Sequence, residues 1–489
     1  MSSADREHAV VDAVPTELFI NGRWQPAGDG GTFDVEDPST GKVLCAVADA
    51  TPDDGMAALG AAVTAQAEWA RYPPRERGEI LRRAYELMTA RQDDLALLMT
   101  LEMGKPLAES RAEIAYGAEF FRWFAEEAVR IDGGFATAPN GSGRFLVLRQ
   151  PVGPALLITP WNFPTAMGTR KIGPAVAAGC TMVLKPARLT PLSMLALADI
   201  LRECGLPDGV LNVVPAAGAG RVLAPLIRDG RVRKLSFTGS TEVGRILLEQ
   251  CAEQIVRTSM ELGGNAPFVV FPDADLDAAI EGAMIAKMRN MGEACTAANR
   301  FYVHAEVVDE FARRLAERMG SLRIGRGTED GVTVGPLIEA KARNNVQHLV
   351  TDAVSRGARV LVGGEPVDGP GYFYRPTVLV DVPADAELAH TEIFGPVAPI
   401  TSFTAEQEVL TKCNDTPFGL VSYVYTGDLN RALRVCEGLE AGMVGLNQGL
   451  VSNPAAPFGG IKHSGLGREG GTVGIEEFLE IKYIAVATS

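Results

Sequence analysis

The chain has 489 residues, with 46 Lys and Arg against 61 Asp and Glu and a net charge of -15. That length allows two or three domains around a large core, and the acidic balance excludes nucleic acid and an anionic membrane surface as partners, since both need a basic face. The seven cysteines (Cys45, Cys180, Cys204, Cys251, Cys295, Cys413 and Cys436) are scattered and form no CxxC pair, so they read as neither a disulfide framework nor a zinc site and point to a reducing, cytoplasmic setting.

In chain order, MSSADREHAV carries acids and no apolar centre, unlike a signal or transit peptide. Residues 18–50 read as short strands, with turns at Asn21-Gly22 and Pro38-Ser39-Thr40-Gly41. From Pro74 the apolar spacing becomes helical, as one run to Gly104-Lys105-Pro106 and a second over 108–130. Residues 131–149 are rich in glycine and lead into the strand FLVLRQ. Such an insertion is either a protruding arm that pairs with another subunit or an ordinary surface hairpin.

After Pro151 strands and helices alternate. ALLIT, TMVLK, LNVV and KLSFT are continuous apolar runs, each followed by a helical stretch. That pattern predicts an α/β fold with a parallel sheet covered on both faces, whose sites lie at the carboxyl ends of the strands. From about residue 260 a second unit of the same kind is expected, starting with MELGG and APFVVF and continuing through a helix capped by Asp275 into Cys295. NRFYVH, ARVLVGG and PTVLVDVP are its further strands, and EIFGP is a loop. The terminal FLEIKYIAVA has no evident partner, and joining the 131–149 arm in a subunit interface would give it one.

Several residues stand where chemistry is feasible. Cys295 lies among Gly292, Ala294, Ala297 and Ala298; small neighbours leave a nucleophile accessible, although a lone cysteine is most often a small buried hydrophobe. Glu261, ahead of Gly263 and Gly264, suits a base acting on water, or is a charge at a loop edge. Asn162, in WNFP, can donate to an oxyanion or serve the turn. The Gly239–Gly244 turn opens a helix and suits a diphosphate, or is a tight strand–helix junction. Lys185 suits ribose hydroxyls and Arg188 a 2′-phosphate, or the two are a solvated basic pair. Arg170 and Arg289 suit a substrate carboxylate, against the commoner fate of a surface ion pair.

The segments ITPWNFP, AAGCTMVLKPA, KLSFTGSTEVG, MELGGNAPFVVF, RNMGEACTAANR, EIFGPVAP and PFGGIKHSGLGREGG resemble, in order and spacing, the NAD(P)-dependent aldehyde dehydrogenase superfamily. MGTRKIGPAVAAGCTMVLKPA and GLVSNPAAPFGGIKHSGLGREGG are most similar to its succinate-semialdehyde dehydrogenase branch. The resemblance implies a Rossmann-type dinucleotide domain (residues 1–130 and 150–259), an α/β catalytic domain (260–460) and a β oligomerisation arm (131–149 and 475–489) that builds a homodimer or homotetramer. It implies Cys295 as nucleophile, Asn162 and the Cys295 N–H as oxyanion hole, and Glu261 as activator of the deacylating water. Cofactor contacts would come from Thr159, Pro160, Trp161, Lys185, Ala187, Arg188, Gly239, Ser240, Gly244 and Leu262, with Glu392 and Phe394 at the nicotinamide end. Arg170, Arg289 and Ser452 would bind the distal carboxylate of an aldehyde substrate, and no metal is expected.

Three positions depart from the family pattern. Glu293 replaces a usual Gln and is expected to add negative charge near the thiol. Ala297 replaces a second cysteine of some members, so no disulfide switch is expected. Arg188 replaces a Glu of NAD-preferring members, which favours NADP over NAD. Glutarate semialdehyde as substrate, a CoA-acylating reaction and a non-catalytic homologue are the alternatives.

Overall fold

The computed structural model describes residues 3–487. Two sheets organise them. The first has eight strands in the order Arg23–Gln25, Leu18–Ile20, Leu211–Val213, Met182–Lys185, Ala155–Ile158, Lys234–Thr238, Arg257–Glu261 and Gly465–Leu466. Its five central strands are parallel. Strand order reverses between Ala155–Ile158 and Lys234–Thr238, which makes that gap the switch point where ligands of such sheets bind. Strands that read as unbroken apolar runs are buried along their whole length here, as helix cover on both faces requires.

The second sheet has seven strands, in the order Arg359–Val362, Thr377–Val380, Val397–Phe403, Ala298–His304, Ala266–Val270, Val421–Tyr425 and Met443–Leu446. The boundary expected at residue 260 moves. MELGG does not open this sheet: Met260 and Glu261 end a strand of the first sheet, paired with Phe237 and Thr238. The chain crosses between sheets over residues 262–265. It crosses back near Gly465–Leu466, which pairs antiparallel with Met260 and Glu261. The first crossing is tight, since a Cβ on Gly264 would lie 2.5 Å from the Cys295 carbonyl oxygen.

The third sheet is the arm. Leu479–Ala487 pairs antiparallel with Gly143–Pro151, and Gly134–Thr137 lies on its other side. The terminal strand therefore has its partner in its own chain, and its outer edge is open within that chain. Phe135, Ile481 and Tyr483 are each about two-thirds exposed, at 68%, 68% and 65%.

Helices also differ from the sequence reading in the N-terminal third. Ser3–Asp12 and Pro52–Trp69 are helical where none was expected, and the run from Pro74 is two helices, Pro74–Ala90 and Gln92–Met103, meeting at Arg91. The periodicity survives that break because both halves pack against the helix Leu107–Glu127. Pro52–Trp69 carries a legible start, a capping box in which the Asp54 carboxylate accepts from the Thr51 N–H and hydroxyl, both at 2.8 Å, while the Thr51 hydroxyl accepts from the Asp54 N–H. Asp54 also takes the Gly28 N–H at 3.0 Å, tying the helix to the N-terminal strands. No helix among the described residues is long and apolar enough to cross a membrane. Asp54→Ala should lower stability by about 1–3 kcal/mol, read as a lower urea midpoint with unchanged slope; an unmoved midpoint would show that the box is incidental.

Candidate active site

Asn162 lies in the loop after strand Ala155–Ile158, just before helix Pro164–Ala178. Its carbonyl oxygen accepts from the Lys105 ammonium at 2.8 Å and the Asn290 amide at 3.0 Å. Its own side-chain amide donates to the Glu293 carbonyl at 2.9 Å. An amide NH2 has two hydrogens, so one is fixed on protein and the other is left for a ligand. Lys105 in turn pairs with Glu113, both side chains 1% exposed, and Glu113 accepts from the N–H groups of Thr165 and Ala166 at the start of the helix.

The segment before Cys295 is not helical as expected. The helix Leu276–Met288, capped by Asp275, ends before Arg289, whose ψ of 125° turns the chain away. Asn290 and Met291 then take left-handed conformations, each at φ 54°. Gly292 follows at φ 77°, where a Cβ would fall 2.2 Å from the Gly395 carbonyl oxygen, so only glycine fits. The turn delivers Cys295, half-buried, to a cavity of about 270 Å³.

Burial first, with the charges of Glu392 and Glu261, pushes the Cys295 thiol up to about 12 against the pull of Arg170 and Arg289. The site therefore favours the thiol form of the sulfur. Glu293 acts differently from expectation. Its carboxyl is fully buried and accepts from the Ile338 N–H at 3.1 Å, and burial holds it well above the usual carboxylate range. Such a shift favours the neutral form, which adds no charge beside the thiol. Ala297 is buried against Phe163 and Met167.

Glu261 ends its strand facing the same cavity, 3% exposed, with Oε2 unpartnered. Burial first and Glu469 second raise its pKa well above the normal value, against Arg170, Lys171 and Arg468. A carboxyl whose pKa is raised holds a proton more readily than an exposed one, which suits it to take and return a proton. Glu392, on the loop before Phe394, accepts from the Gly264 N–H at 3.2 Å and is pushed up to about 7 by burial. Phe394 sits at φ 50° and meets Trp161 edge-on at 5.4 Å.

Besides Cys295, Asn162 and Glu261, the cavity wall includes Pro160, Trp161, Gly239, Ser240, Leu262, Glu392 and Phe394, together with Arg170, Arg289 and Ser452. Thr159, Lys185, Ala187, Arg188 and Gly244 lie outside it. Thr159 and Lys185 occupy neighbouring strand ends, joined by a 3.3 Å backbone bond. Lys185 is buried and donates no side-chain hydrogen bond among the described residues, and burial followed by the charge of Arg188 pushes it down to about 8. Thr238 Oγ1, on the cavity wall, is also buried and unpartnered. These unsatisfied groups around the switch point fit a dinucleotide that brings its own hydroxyls and phosphates. Ser240 caps the helix Thr241–Ala252, accepting from the Val243 N–H at 3.3 Å. Gly244 serves packing, since a Cβ there would meet Leu262 at 2.5 Å.

At the arginine side of the cavity, Arg170 is 2% exposed, with its guanidinium 4.1 Å from the Phe458 ring centre and an ion pair to Glu469 at 3.5 Å. Its Nη2 donates to the Tyr116 hydroxyl at 2.5 Å, while Nε and Nη1 have no hydrogen-bond partner. Arg289 donates to Ser452 Oγ at 3.4 Å and lies over the rings of Phe163 and Tyr116 at 4.7 and 5.7 Å. Tyr116 thus stands between the two cations. It and Phe458 were not singled out from sequence, because both read as core aromatics.

The family model for the aldehyde dehydrogenase family matches residues 24–484. The chain belongs to that family. Among relatives of this aldehyde dehydrogenase, a succinate-semialdehyde dehydrogenase of Paenarthrobacter nicotinovorans is 60% identical over 91% of this chain and 99% of its own. A glutarate-semialdehyde dehydrogenase of Pseudomonas putida is 54% identical over 96% and 98%. A solved structure described as an Escherichia coli NADP-dependent enzyme superposes with a TM-score of 0.96 at 52% identity, covering 98% of this chain and 99% of that one.

The charges around Cys295 carry a signed expectation. Below its pKa the thiolate fraction rises about tenfold per pH unit, but Glu392 ionises near 7 and then opposes thiolate formation. Glu392→Gln should therefore speed iodoacetamide labelling of Cys295 about threefold or more at pH of about 8–9, followed by peptide mass spectrometry. An unchanged or slower rate would show that this carboxylate does not act on the sulfur.

Proposed function

We propose that this aldehyde dehydrogenase oxidises succinate semialdehyde to succinate with NADP. The observation that carries the reading is the pairing, in one cavity, of the Cys295 nucleophile with two aromatic-framed guanidinium groups and Ser452. A planar guanidinium binds a carboxylate bidentately, and a low-dielectric wall strengthens that contact. The Pseudomonas putida relative favours glutarate semialdehyde as a second reading; one methylene changes discrimination by only about 1–3 kcal/mol.

In the mechanism, Glu261 accepts the Cys295 proton and the sulfur adds to the aldehyde carbon. The free hydrogen of the Asn162 amide and the Cys295 N–H hold the resulting oxyanion, each donor typically worth about 3–4 kcal/mol. The dinucleotide, when bound, supplies the hydride acceptor that turns the thiohemiacetal into a thioester. Thr159, Pro160, Trp161, Lys185, Ala187, Arg188, Gly239, Ser240 and Leu262 would hold it, with Glu392 and Phe394 at the nicotinamide end. Glu261, once it has given the thiol's proton to solvent, takes a proton from water, whose oxygen bonds the acyl carbon; as the carbon–sulfur bond breaks, that proton passes to the sulfur, releasing the acid and the thiol. A water-activating carboxyl in place supports hydrolysis over transfer to CoA.

Arg188 is exposed and makes no ion pair among the described residues, which supports a 2′-phosphate partner. In this reading residues 1–130 and 150–261 form the dinucleotide domain and 262–460 the catalytic domain. The open edge of Leu479–Ala487 and the exposed arm aromatics support homo-oligomer assembly. Seven free thiols suit a reducing cytoplasm.

Arg289→Ala should lower kcat/KM for succinate semialdehyde about 10–100-fold and for butanal less than about threefold; equal losses on both would remove the clamp. Arg188→Glu should reverse the cofactor preference from NADP to NAD, measured as the ratio of kcat/KM values. A ratio that does not move would place the 2′-phosphate elsewhere.

A further inference from the structure

The helix Leu107–Glu127 presents Glu109, Glu113 and Tyr116 at the i, i+4, i+7 spacing that aligns side chains on one face. Each reaches a different part of the site. Tyr116 holds Arg170 and lies beside Arg289. Glu113 holds Lys105, whose ammonium binds the Asn162 carbonyl. Glu109 reaches the turn between clamp and nucleophile, where its Oε2 accepts from the Asn290 N–H at 2.6 Å.

That turn needs an anchor. Asn290 is left-handed at φ 54°, as is Met291 after it, a conformation that persists only when surroundings enforce it. The Asn290 amide donates to the carbonyls of Asn162 and Glu293, at 3.0 and 2.9 Å. The Asn162 amide donates to that same Glu293 carbonyl. Arg289 immediately precedes Asn290. A shift of the Asn290 backbone therefore moves the oxyanion donor and the clamp arginine together. Glu109 is close enough to Lys105, Arg289 and Glu113 to feel their charges. It also lines a second hollow, with Met284, Met288 and Leu450, whose wall shares Tyr116, Phe163, Arg289 and Ser452 with the catalytic cavity.

We propose that Glu109 is a positioning residue for the dehydrogenase reaction: by fixing the left-handed Asn290 turn it sets Arg289 of the anion clamp in register with the Asn162 oxyanion donor. The clamp half rests on the semialdehyde reading above. The oxyanion half holds for any aldehyde, so a neutral substrate tests it separately.

The experiment compares Glu109→Ala and Glu109→Gln in the full-length enzyme with succinate semialdehyde and butanal at saturating NADP or NAD, whichever the enzyme uses. Gln keeps an acceptor for the Asn290 N–H and removes the charge. With E109A, kcat should fall on the order of 10²-fold for both aldehydes, and KM should rise about tenfold for the semialdehyde alone. With E109Q, kcat should return to within about threefold of wild type. Where E109A gives too little folded protein, Glu109→Leu, which fills the volume without an acceptor, takes its place. A kcat within about twofold of wild type in E109A or E109L overturns the proposal, as does an E109Q loss as large as theirs. If the butanal arm behaves as expected and the semialdehyde KM does not move, the clamp reading fails and the positioning of Asn162 stands.

Discussion

Lys105 and Glu113 meet beneath Asn162 with almost no water around them. Charge at that depth is costly, and a buried ion pair contributes little net stability. Its value here is directional. Lys105 grips the Asn162 carbonyl, and Glu113 grips the first amides of the helix behind it. The Asn162 backbone is thereby fixed by the protein itself, and in the proposed reaction a preorganised oxyanion donor costs no reorganisation.

The same dry setting governs the ionisable groups. Cys295, Glu261, Glu392 and Glu293 are all shifted toward their neutral forms, with burial the largest cause in each. Shifts of that sign reduce the uncompensated charge that the buried site has to carry. Arg170 and Arg289 remain as the cations that face it, and Glu469 shares the first of them. An entering anion therefore meets a positive wall.

Much of this was legible in the residues. Glycine pairs and WNFP at strand ends marked the loops, because those positions require backbone freedom or turn chemistry. Cys295, Glu261 and Asn162 come to one cavity as expected. Less legible were features made by packing across the chain. Tyr116, Glu113 and Lys105 look like ordinary positions of amphipathic helices, and only folding brings them to Asn162 and Arg170. Arg289 was placed on the preceding helix because nothing local signals its break; Asn290 and Met291 carry positive φ without being glycine. MELGG reads as the start of the second sheet because a buried parallel strand looks alike in either. The helix over 52–69 announces itself in sequence only through its Thr51–Asp54 box.

The two chain crossings between the large sheets lie side by side, because Gly465–Leu466 pairs with Met260 and Glu261. The Glu261 backbone is therefore flanked on both sides, by Thr238 of the neighbouring parallel strand and by Gly465 of the returning chain. Its place against Cys295 is held by the strand ladder rather than by its own carboxyl, whose Oε2 has no hydrogen-bond partner among the described residues.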